Sequence, residues 1–191
     1  MSTVLYYDLG SPYAYLAVSR SELVLGSQAR LQPVLAGAIF AHRGWGSWAH
    51  TAERERHIAE IGRRAAAYGL PAMRWPVGWP NNTLSAMRLA VWATDAGAGD
   101  EFARAAFAAA FADGKDLSDK DALLALASAI GMDREDAELA LESAEVKTKL
   151  REATDQAIAV GVGGVPTTCV DGQLFYGDDR LESAAMALNG S

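Results

Sequence analysis

The stretch that decides the fold is VLYYDLGSPYAYL, residues 4–16. Its first four residues are apolar or aromatic on both faces, which favours a central strand covered on both sides in an α/β sheet. Gly10 then breaks the strand. Ser11 and Pro12 open a helix, because serine caps a helix N-terminus and proline suits the first helical position. Such a helix start holds free N–H groups and a partial positive charge, so it attracts an anion such as a thiolate. Serine before proline is also a common helix start with no catalytic role. This stretch alone therefore leaves open whether Ser11 binds an anion or only caps the helix.

The first third of the chain predicts a βαβ unit. A helix is expected from Ser11 to about Ser27, and residues 31–36 have the composition of a second strand. Two strands joined by one helix over so short a distance are parallel neighbours in a sheet.

The middle of the chain predicts helices and nothing else. Residues 37–51 are rich in glycine and aromatic side chains and are expected to form a loop. Helices are then predicted at about 53–68, 83–96, 100–113, from 118, from Asp133 and at 143–160, several of them ending at a glycine. Residues 75–83, which contain two prolines and two tryptophans close together, are expected to form a rigid loop.

The end of the chain returns to strands. A loop at residues 161–166 leads to a short strand, Thr167 to Val170, and Asp171-Gly172 is a strong hairpin signal before a strand at 173–176. A final helix is expected from Gly177 to about Leu188. The prediction is therefore an α/β, thioredoxin-like fold, with residues 1–36 and 155–191 forming the thioredoxin-like domain. A helical insertion, residues 37–154, separates its βαβ and ββα halves.

Composition narrows the classes of partner. The 191 residues carry a net charge of −7 without a run of lysines or arginines, which argues against nucleic acid and acidic membranes as partners. No apolar run approaches the roughly 20 residues of a membrane span. The first residues lack a signal-peptide pattern, so a cytoplasmic protein is expected. The only cysteine, Cys169, falls in a predicted core strand, which favours an inert packing role over that of a nucleophile.

Three groups of motifs occur in the order and at the places typical of a known family. They are YYDLGSPYAYL at residues 6–16, then Trp75-Pro76 with Asn82-Thr83-Leu84 and Met87-Arg88-Leu89-Ala90, and finally GVPT at 164–167 with GDDRL at 177–181. Together they resemble the 2-hydroxychromene-2-carboxylate isomerases, which are close relatives of the kappa-class glutathione transferases. More distant relatives are the DsbA-like disulfide oxidoreductases of the thioredoxin superfamily. The resemblance covers both ends and the middle of the chain, and it is more specific for the fold than for the substrate.

The resemblance implies a thiol cofactor. Ser11 and Ala14 stand where the disulfide oxidoreductases keep their two cysteines, so this chain cannot form that disulfide. A serine hydroxyl at a helix N-terminus can instead donate a hydrogen bond to a bound thiolate and lower its pKa. The sulfur would come from glutathione or another low-molecular-weight thiol, and Ser11 would be the catalytic residue.

The same resemblance places the rest of a glutathione site. Pro12 and Tyr13 follow Ser11 in that site, and the Val165-Pro166 bond is expected to be cis, which leaves the Val165 backbone free to pair with the peptide. Asp178 and Asp179 match positions that hold the glutamyl end, although both suit a plain helix cap. Relatives usually carry serine or asparagine in place of Asp178, and the extra negative charge is expected to weaken glutathione binding or to indicate another thiol.

The substrate pocket is expected between the sheet edge and the insertion. Trp45, Trp48, Trp75 and Trp79 fall in its two loops and suit an aromatic ligand, although tryptophans also pack ordinary cores. Asn81 and Asn82 could bind a carboxylate or carbonyl, and Asn82 could equally cap the next helix. Where many relatives carry a lysine for the substrate carboxylate, this chain offers only His42 or Arg43.

The resemblance thus implies a glutathione-dependent isomerase acting on a small aromatic-degradation intermediate such as 2-hydroxychromene-2-carboxylate. No metal site is expected, since the three histidines have no metal-ligand spacing. A homodimer is expected from the resemblance. A kappa-like glutathione transferase or peroxidase and a non-catalytic module that binds a thiol or peptide remain as alternatives.

Overall fold

Four strands and nine α-helices occur in residues 3–26 and 29–189, the part of the chain that the computed structural model describes. In chain order they are β1 (Thr3–Tyr7), α1 (Pro12–Leu25), β2 (Ala29–Pro33), α2 (Ala36–His42), a 3₁₀ turn (Trp48–His50), α3 (Arg54–Ala67), α4 (Leu84–Asp95), α5 (Gly99–Phe111), α6 (Lys120–Ala129), α7 (Arg134–Glu142), α8 (Ala144–Ala159), β3 (Thr167–Val170), β4 (Gln173–Tyr176), a second 3₁₀ turn (Asp178–Arg180) and α9 (Leu181–Asn189).

The strands form one mixed sheet in the order β2-β1-β3-β4. β1 runs parallel to β2, with Leu5 opposite Leu31, and antiparallel to β3, with Leu5 opposite Thr168. The β3–β4 hairpin turns at Asp171 and Gly172, both of which have positive φ angles (46° and 90°). The thioredoxin-like α/β fold, the parallel βαβ unit and the C-terminal hairpin are confirmed.

Alternate residues of β1 face two different cores, because successive side chains of a strand point to opposite faces. Leu5 and Tyr7 are buried with α1 and with the helices from α3 to α8. Tyr6 packs on the other side against a smaller cluster formed by α2, α8 and the loop before β3. Both faces of the central strand are therefore covered, as the apolar run of residues 4–7 predicts.

The segment after β2 was wrongly predicted as strand and loop. β2 ends at Pro33, and helix α2 occupies part of the segment 37–51 that was expected to be a loop. The reason is that distant side chains cap α2. Asp8 Oδ2 accepts a hydrogen bond from Ala36 N (2.8 Å), and Thr154 Oγ1 accepts one from Leu35 N (3.0 Å). Local sequence does not reveal either partner.

Both ends of the predicted insertion fall within helices. Its first residue, 37, lies in α2, and its last, 154, lies inside the continuous helix α8. The division into two domains stays a prediction. The predicted end of α1 at Ser27 lies outside the described residues. Within the described part of the chain, α1 ends at Leu25 and Gly26 caps it. Within the described ranges, no helix is long and apolar enough to cross a membrane.

Candidate functional site

A pocket of about 480 Å³ opens where the start of α1 meets helix α3 and the loops before β3 and α9. Its volume lies in the range of small-molecule sites. The predicted residues that line it are Ser11, Pro12, Tyr13, Trp48, Trp79, Asn81, Val165, Pro166, Asp178 and Asp179. The chain therefore gathers, in one cavity, residues that lie more than 150 positions apart in the sequence.

Ser11 caps helix α1 at the edge of this pocket. Its Oγ accepts a hydrogen bond from Ala14 N (3.2 Å), while Pro12 occupies the first turn without an N–H. Among the described residues, neither the Ser11 hydroxyl hydrogen nor the Tyr13 N–H has an acceptor. Two donors and the positive end of the helix dipole thus meet at one point, an arrangement that favours an anion.

Asp8 holds the backbone beneath this helix start. Its side chain is buried, and its Oδ1 accepts hydrogen bonds from Gly10 N (2.8 Å) and Thr83 Oγ1 (3.3 Å). Its Oδ2 accepts the Ala36 N–H that begins α2. Burial raises the pKa of Asp8, and these three donors oppose that shift. One carboxyl group thus fixes the positions of α1, α2 and α4 around the pocket.

The loop before β3 supplies an unpaired stretch of backbone. The Val165–Pro166 bond is cis, as predicted, and a second cis bond, Trp79–Pro80, was not predicted. Pro166 O accepts a hydrogen bond from Gly177 N (2.9 Å), which ties the two loops together. Val165 N–H and C=O have no partner within the described part of the chain. This backbone is therefore able to pair with that of a peptide ligand.

Asp178 does not present the free charge that its sequence position predicts. Its side chain is 1% exposed, its Oδ1 lies 2.9 Å from Arg64 Nη1, and its Oδ2 accepts a hydrogen bond from Tyr68 OH (3.0 Å). Burial raises the pKa of Asp178, whereas Arg64 and Tyr68 lower it. The carboxylate of Asp178 is thus held in an ion pair with Arg64, and the effect of its charge on glutathione binding stays a prediction.

Asp179 differs from its neighbour in exposure. Its side chain is 54% exposed and its Oδ2 lies 3.3 Å from Arg64 Nη1. Asp178, Asp179 and Glu60 share Arg64, and Glu60 also pairs with Arg63. Asp179 is the most exposed of the three carboxylates, so its negative charge is the most accessible to a ligand. A cationic group on a ligand is the complementary partner.

Arg20 supports Asp178 through contacts with Tyr68, the Asp178 backbone and Glu182. Its guanidinium lies 3.6 Å from the centre of the Tyr68 ring, and its Nη1 donates to Asp178 O (3.4 Å). It also pairs with Glu182 of α9. These contacts connect α1, α3 and α9 and hold the 178–179 turn in place.

An aromatic wall forms another side of the pocket. Trp48 stacks on His57 (ring centres 4.5 Å apart) and contacts Trp79 (5.3 Å). Trp79 Nε1 donates to Gly10 O (3.3 Å), which joins the wall to the turn before Ser11. Trp45 and Trp75 do not line the pocket: Trp45 is 55% exposed, and Trp75 packs against Trp79 and Phe111.

Of the other predicted substrate residues, one lines the pocket and three do not. Asn81 lines the pocket; its Nδ2 donates to Val77 O (3.0 Å), and its Oδ1 is buried without a partner among the described residues. Asn82 instead accepts a hydrogen bond from Leu84 N (3.0 Å) at the start of α4. The structure does not bring His42 and Arg43 to the pocket wall, and Arg43 Nη2 donates to Gly161 O (3.2 Å).

Helix α3 contributes site residues that the sequence interpretation missed. His57 and Arg64 line the pocket, and Tyr68 supports Asp178 behind it. These residues lie seven and four positions apart, a spacing that places them on one face of a helix. This spacing is the one signal in the sequence that groups the three residues. It does not show that their face of the helix forms a wall of the pocket.

No group of three His, Cys, Asp or Glu side chains suited to a metal ion occurs in the described ranges.

Comparison with known proteins places this chain in a family. A family model described as a DSBA-like thioredoxin domain matches residues 3–189. The 2-hydroxychromene-2-carboxylate isomerase of Sphingobium xenophagum is 27% identical over 183 residues, which cover 93% of this chain and 92% of that protein. Glutathione S-transferase kappa 1 of Rattus norvegicus is 28% identical over 202 residues, covering 96% of this chain and 89% of the relative.

A solved structure of a 2-hydroxychromene-2-carboxylate isomerase has the same fold. It superimposes with a TM-score of 0.89 at 24% identity and covers 100% of this chain and 95% of its own. The resemblance drawn from the motifs is therefore confirmed at the level of fold and family. With the family model matching nearly the whole chain, the protein belongs to the DsbA-like thioredoxin domain family.

Proposed function

We propose that this protein is a glutathione-dependent isomerase acting on an aromatic-degradation intermediate such as 2-hydroxychromene-2-carboxylate. The observation that carries the proposal is the position of Ser11, a serine with a free hydroxyl hydrogen at a helix N-terminus that opens into a pocket of about 480 Å³. The two full-length relatives named isomerase and glutathione transferase support the choice of chemistry.

The residues present fit glutathione. The unpaired Val165 N–H and C=O suit the backbone of a tripeptide, and the exposed Asp179 carboxylate suits its ammonium group. Because Arg64 neutralises Asp178, the serine-to-aspartate departure is compatible with a glutamyl end. Another low-molecular-weight thiol remains part of the proposal, since Val165 and Ser11 would serve any peptide-like thiol.

Glutathione, when bound, would supply a thiolate able to add reversibly to a conjugated double bond and so permit isomerisation. The chain's own residues favour that ionised form. The Ser11 hydroxyl and the Tyr13 N–H donate toward the sulfur position, and the α1 dipole adds a partial positive charge. Asp8 keeps this helix start fixed, so the donors are oriented before the ligand arrives.

The substrate would bind between Ser11, at the start of α1, and the aromatic wall formed by Trp48 and Trp79. Trp48 and Trp79 offer ring faces for an aromatic ligand, and Asn81 lines the pocket beside them. His42 and Arg43 lie outside the pocket, and Arg64, the arginine among the described residues that line it, is shared among three carboxylates.

The test is turnover of 2-hydroxychromene-2-carboxylate with and without glutathione, in wild type and in Ser11→Ala. Ser143→Ala is a matched control, because Ser143 caps α8 by accepting from Val146 N (3.3 Å) away from the pocket. Each variant should lose about 1 kcal/mol of stability with its cap, but only Ser11→Ala should lose most of the activity. Equal turnover in wild type and Ser11→Ala would contradict the role of Ser11.

A kappa-like glutathione transferase or peroxidase is the second candidate, since the rat kappa enzyme matches the chain about as well as the isomerase does. Product analysis separates the two, because a transferase leaves a stable conjugate and a peroxidase consumes a peroxide. Glutathione binding without turnover of any of these substrates would instead indicate a thiol-binding module. The proposal also includes a cytoplasmic homodimer, which light scattering and cell fractionation would test.

A further inference from the structure

Tyr13 and His57 form a hydrogen-bonded pair in the wall of the pocket. Tyr13 Oη lies 2.7 Å from His57 Nδ1, and both residues line the cavity. Trp48 fixes the pair: it stacks on His57 at 4.5 Å and meets the Tyr13 ring edge-on at 5.9 Å. Trp48 thus contacts both members of the pair, and Tyr13 lies two residues after Ser11 in the chain.

The direction of this hydrogen bond follows from the other ring nitrogen. Arg56 Nη2 lies 3.5 Å from His57 Nε2, and a guanidinium can only donate. This contact favours Nε2 as the acceptor, and hence the neutral tautomer whose proton is on Nδ1 and is donated to Tyr13 Oη. Burial and the neighbouring Arg56 lower the pKa of His57, which keeps the ring neutral near pH 7, against the opposite effect of Glu53 and Glu60.

This direction leaves the Tyr13 O–H without an acceptor among the described residues. Burial raises the pKa of Tyr13, with Asp178 and Glu60 adding to the shift and Arg64 and Arg56 opposing it, so the phenol stays protonated. A neutral phenol that already accepts a hydrogen bond on its oxygen is a good donor, because chains of hydrogen bonds polarise one another.

We propose that Tyr13, oriented by His57, is the hydrogen-bond donor for an oxyanion of the bound substrate. The reaction role rests on the proposed function: when a nucleophile adds to a conjugated double bond, the electron pair moves to the conjugated oxygen. Tyr13 stabilises that charge by donating without transferring its proton, and the electron pair returns when the nucleophile leaves. Tyr13 is thus a catalytic residue, and His57 is a positioning residue.

The first test concerns the tautomer of His57. Nitrogen-15 NMR of the free protein at pH 7 should show a protonated Nδ1 and an unprotonated Nε2. Arg56→Met should raise the Nε2-protonated fraction, because it removes the donor that holds Nε2 as an acceptor. A protonated Nε2 in the wild-type protein would overturn the inferred direction of the hydrogen bond.

The second test uses 4-nitrophenol as an oxyanion probe, without glutathione. Its ionised form absorbs visible light, so the phenolate and phenol affinities of the pocket can be measured separately. The wild type should prefer the phenolate, and Tyr13→Phe should bind it roughly 10- to 100-fold more weakly while binding the neutral phenol equally well. Tyr6→Phe is the control, since Tyr6 is a half-buried tyrosine that does not line the pocket.

The positioning role of His57 is tested by rescue in the same assay. His57→Asn keeps an N–H near the place of Nδ1 and should retain most of the phenolate preference, whereas His57→Ala should lose it. Equal phenolate affinity in wild type and Tyr13→Phe, or no phenolate preference in the wild type, would overturn the proposal. Because the probe needs no glutathione, a preserved phenolate preference beside absent isomerase turnover would support the Tyr13 donor and overturn only the isomerase assignment.

Discussion

Asp178 shows how a residue far away in the chain decides the chemistry of a site. Its sequence position suggests a free charge beside the ligand, but Arg64, 114 positions earlier, holds its carboxylate at 2.9 Å. Tyr68, one helical turn after Arg64, binds the other oxygen. The pairing depends on the docking of α3 against the turn before α9, and neither local sequence contains that information.

Removing Arg64 should therefore be costly. In Arg64→Leu the buried Asp178 loses its ion pair, and we expect a loss of roughly 3 kcal/mol in the free energy of unfolding at pH 7. Burial already raises the pKa of Asp178, and the loss of Arg64 raises it further. A raised folded-state pKa gives stability that is present at low pH and lost as the pH rises through it. The penalty should thus be larger at pH 7 than at pH 4.

Urea denaturation of Arg64→Leu at the two pH values provides the measurement. The double variant Arg64→Leu/Asp178→Asn is the control, because it removes the unpaired charge and should recover part of the stability at pH 7. A penalty independent of pH, or no recovery in the double variant, would show that the ion pair is not what Arg64 contributes.

His57 makes the opposite contribution to pH dependence. Its pKa is lowered from the ordinary value of 6.5, first by burial and then by Arg56. A lowered folded-state pKa gives stability that is present above the ordinary value and lost as the pH falls through the folded one. The stability advantage of wild type over His57→Gln should therefore shrink between pH 7 and pH 5. Denaturation midpoints of the two proteins measure this difference. A stability advantage of the wild type that grows as the pH falls would contradict the lowered pKa of His57.

At the scale of elements, helices with local signals were predictable. Glycines end α3, α4 and α6 as expected, and Asp171-Gly172 marks the hairpin between the last strands. α2 was missed, because its first amides are capped by Asp8 and Thr154 from other parts of the chain. The same limit applies to the site: Ser11 and Val165–Pro166 carry local motifs, whereas the contributions of α3 depend on how that helix packs.

Thr154 provides a test of this distant capping. In Thr154→Val, which keeps the shape of the side chain, Leu35 N loses its acceptor, so we expect a loss of about 1–3 kcal/mol and faster hydrogen exchange in α2. Thr94→Val is a matched control. Thr94 Oγ1, like that of Thr154, donates to the carbonyl four residues earlier (2.8 Å in each case), but within the described residues it accepts no hydrogen bond from another segment. Unchanged exchange in α2 of Thr154→Val would contradict the distant cap.

At the scale of the whole molecule, the helices between β2 and β3 share one core with the sheet. Tyr7 of β1 packs against Phe107 of α5, with ring centres 5.7 Å apart, and both side chains are almost fully buried. One cluster joins β1 and α1 to the residues of α3 through α8. The helices of this core are thus anchored to β1, the strand that leads into the turn before Ser11.

A shared core predicts shared stability. Phe107→Ala should cost about 3–5 kcal/mol and should reduce the hydrogen-exchange protection of β1 and α5 by the same amount. Leu139→Ala, at a residue that is 69% exposed on α7, should change little. If β1 kept its protection while α5 lost it, residues 37–154 would unfold as a separate domain, and the shared core would not couple the two parts.

The central claim is that Ser11 and the start of α1 stabilise a bound thiolate, and glutathione binding measured by calorimetry tests it most directly. Titrations at pH 7 in buffers of different ionisation enthalpy count the protons released. Wild type and Ser143→Ala should each release close to one proton per glutathione, because the bound thiol ionises, whereas Ser11→Ala should release far less. At pH 9 the difference should shrink, since the free thiol is then largely ionised. Binding without proton release in the wild type, or equal release in Ser11→Ala, would contradict the account.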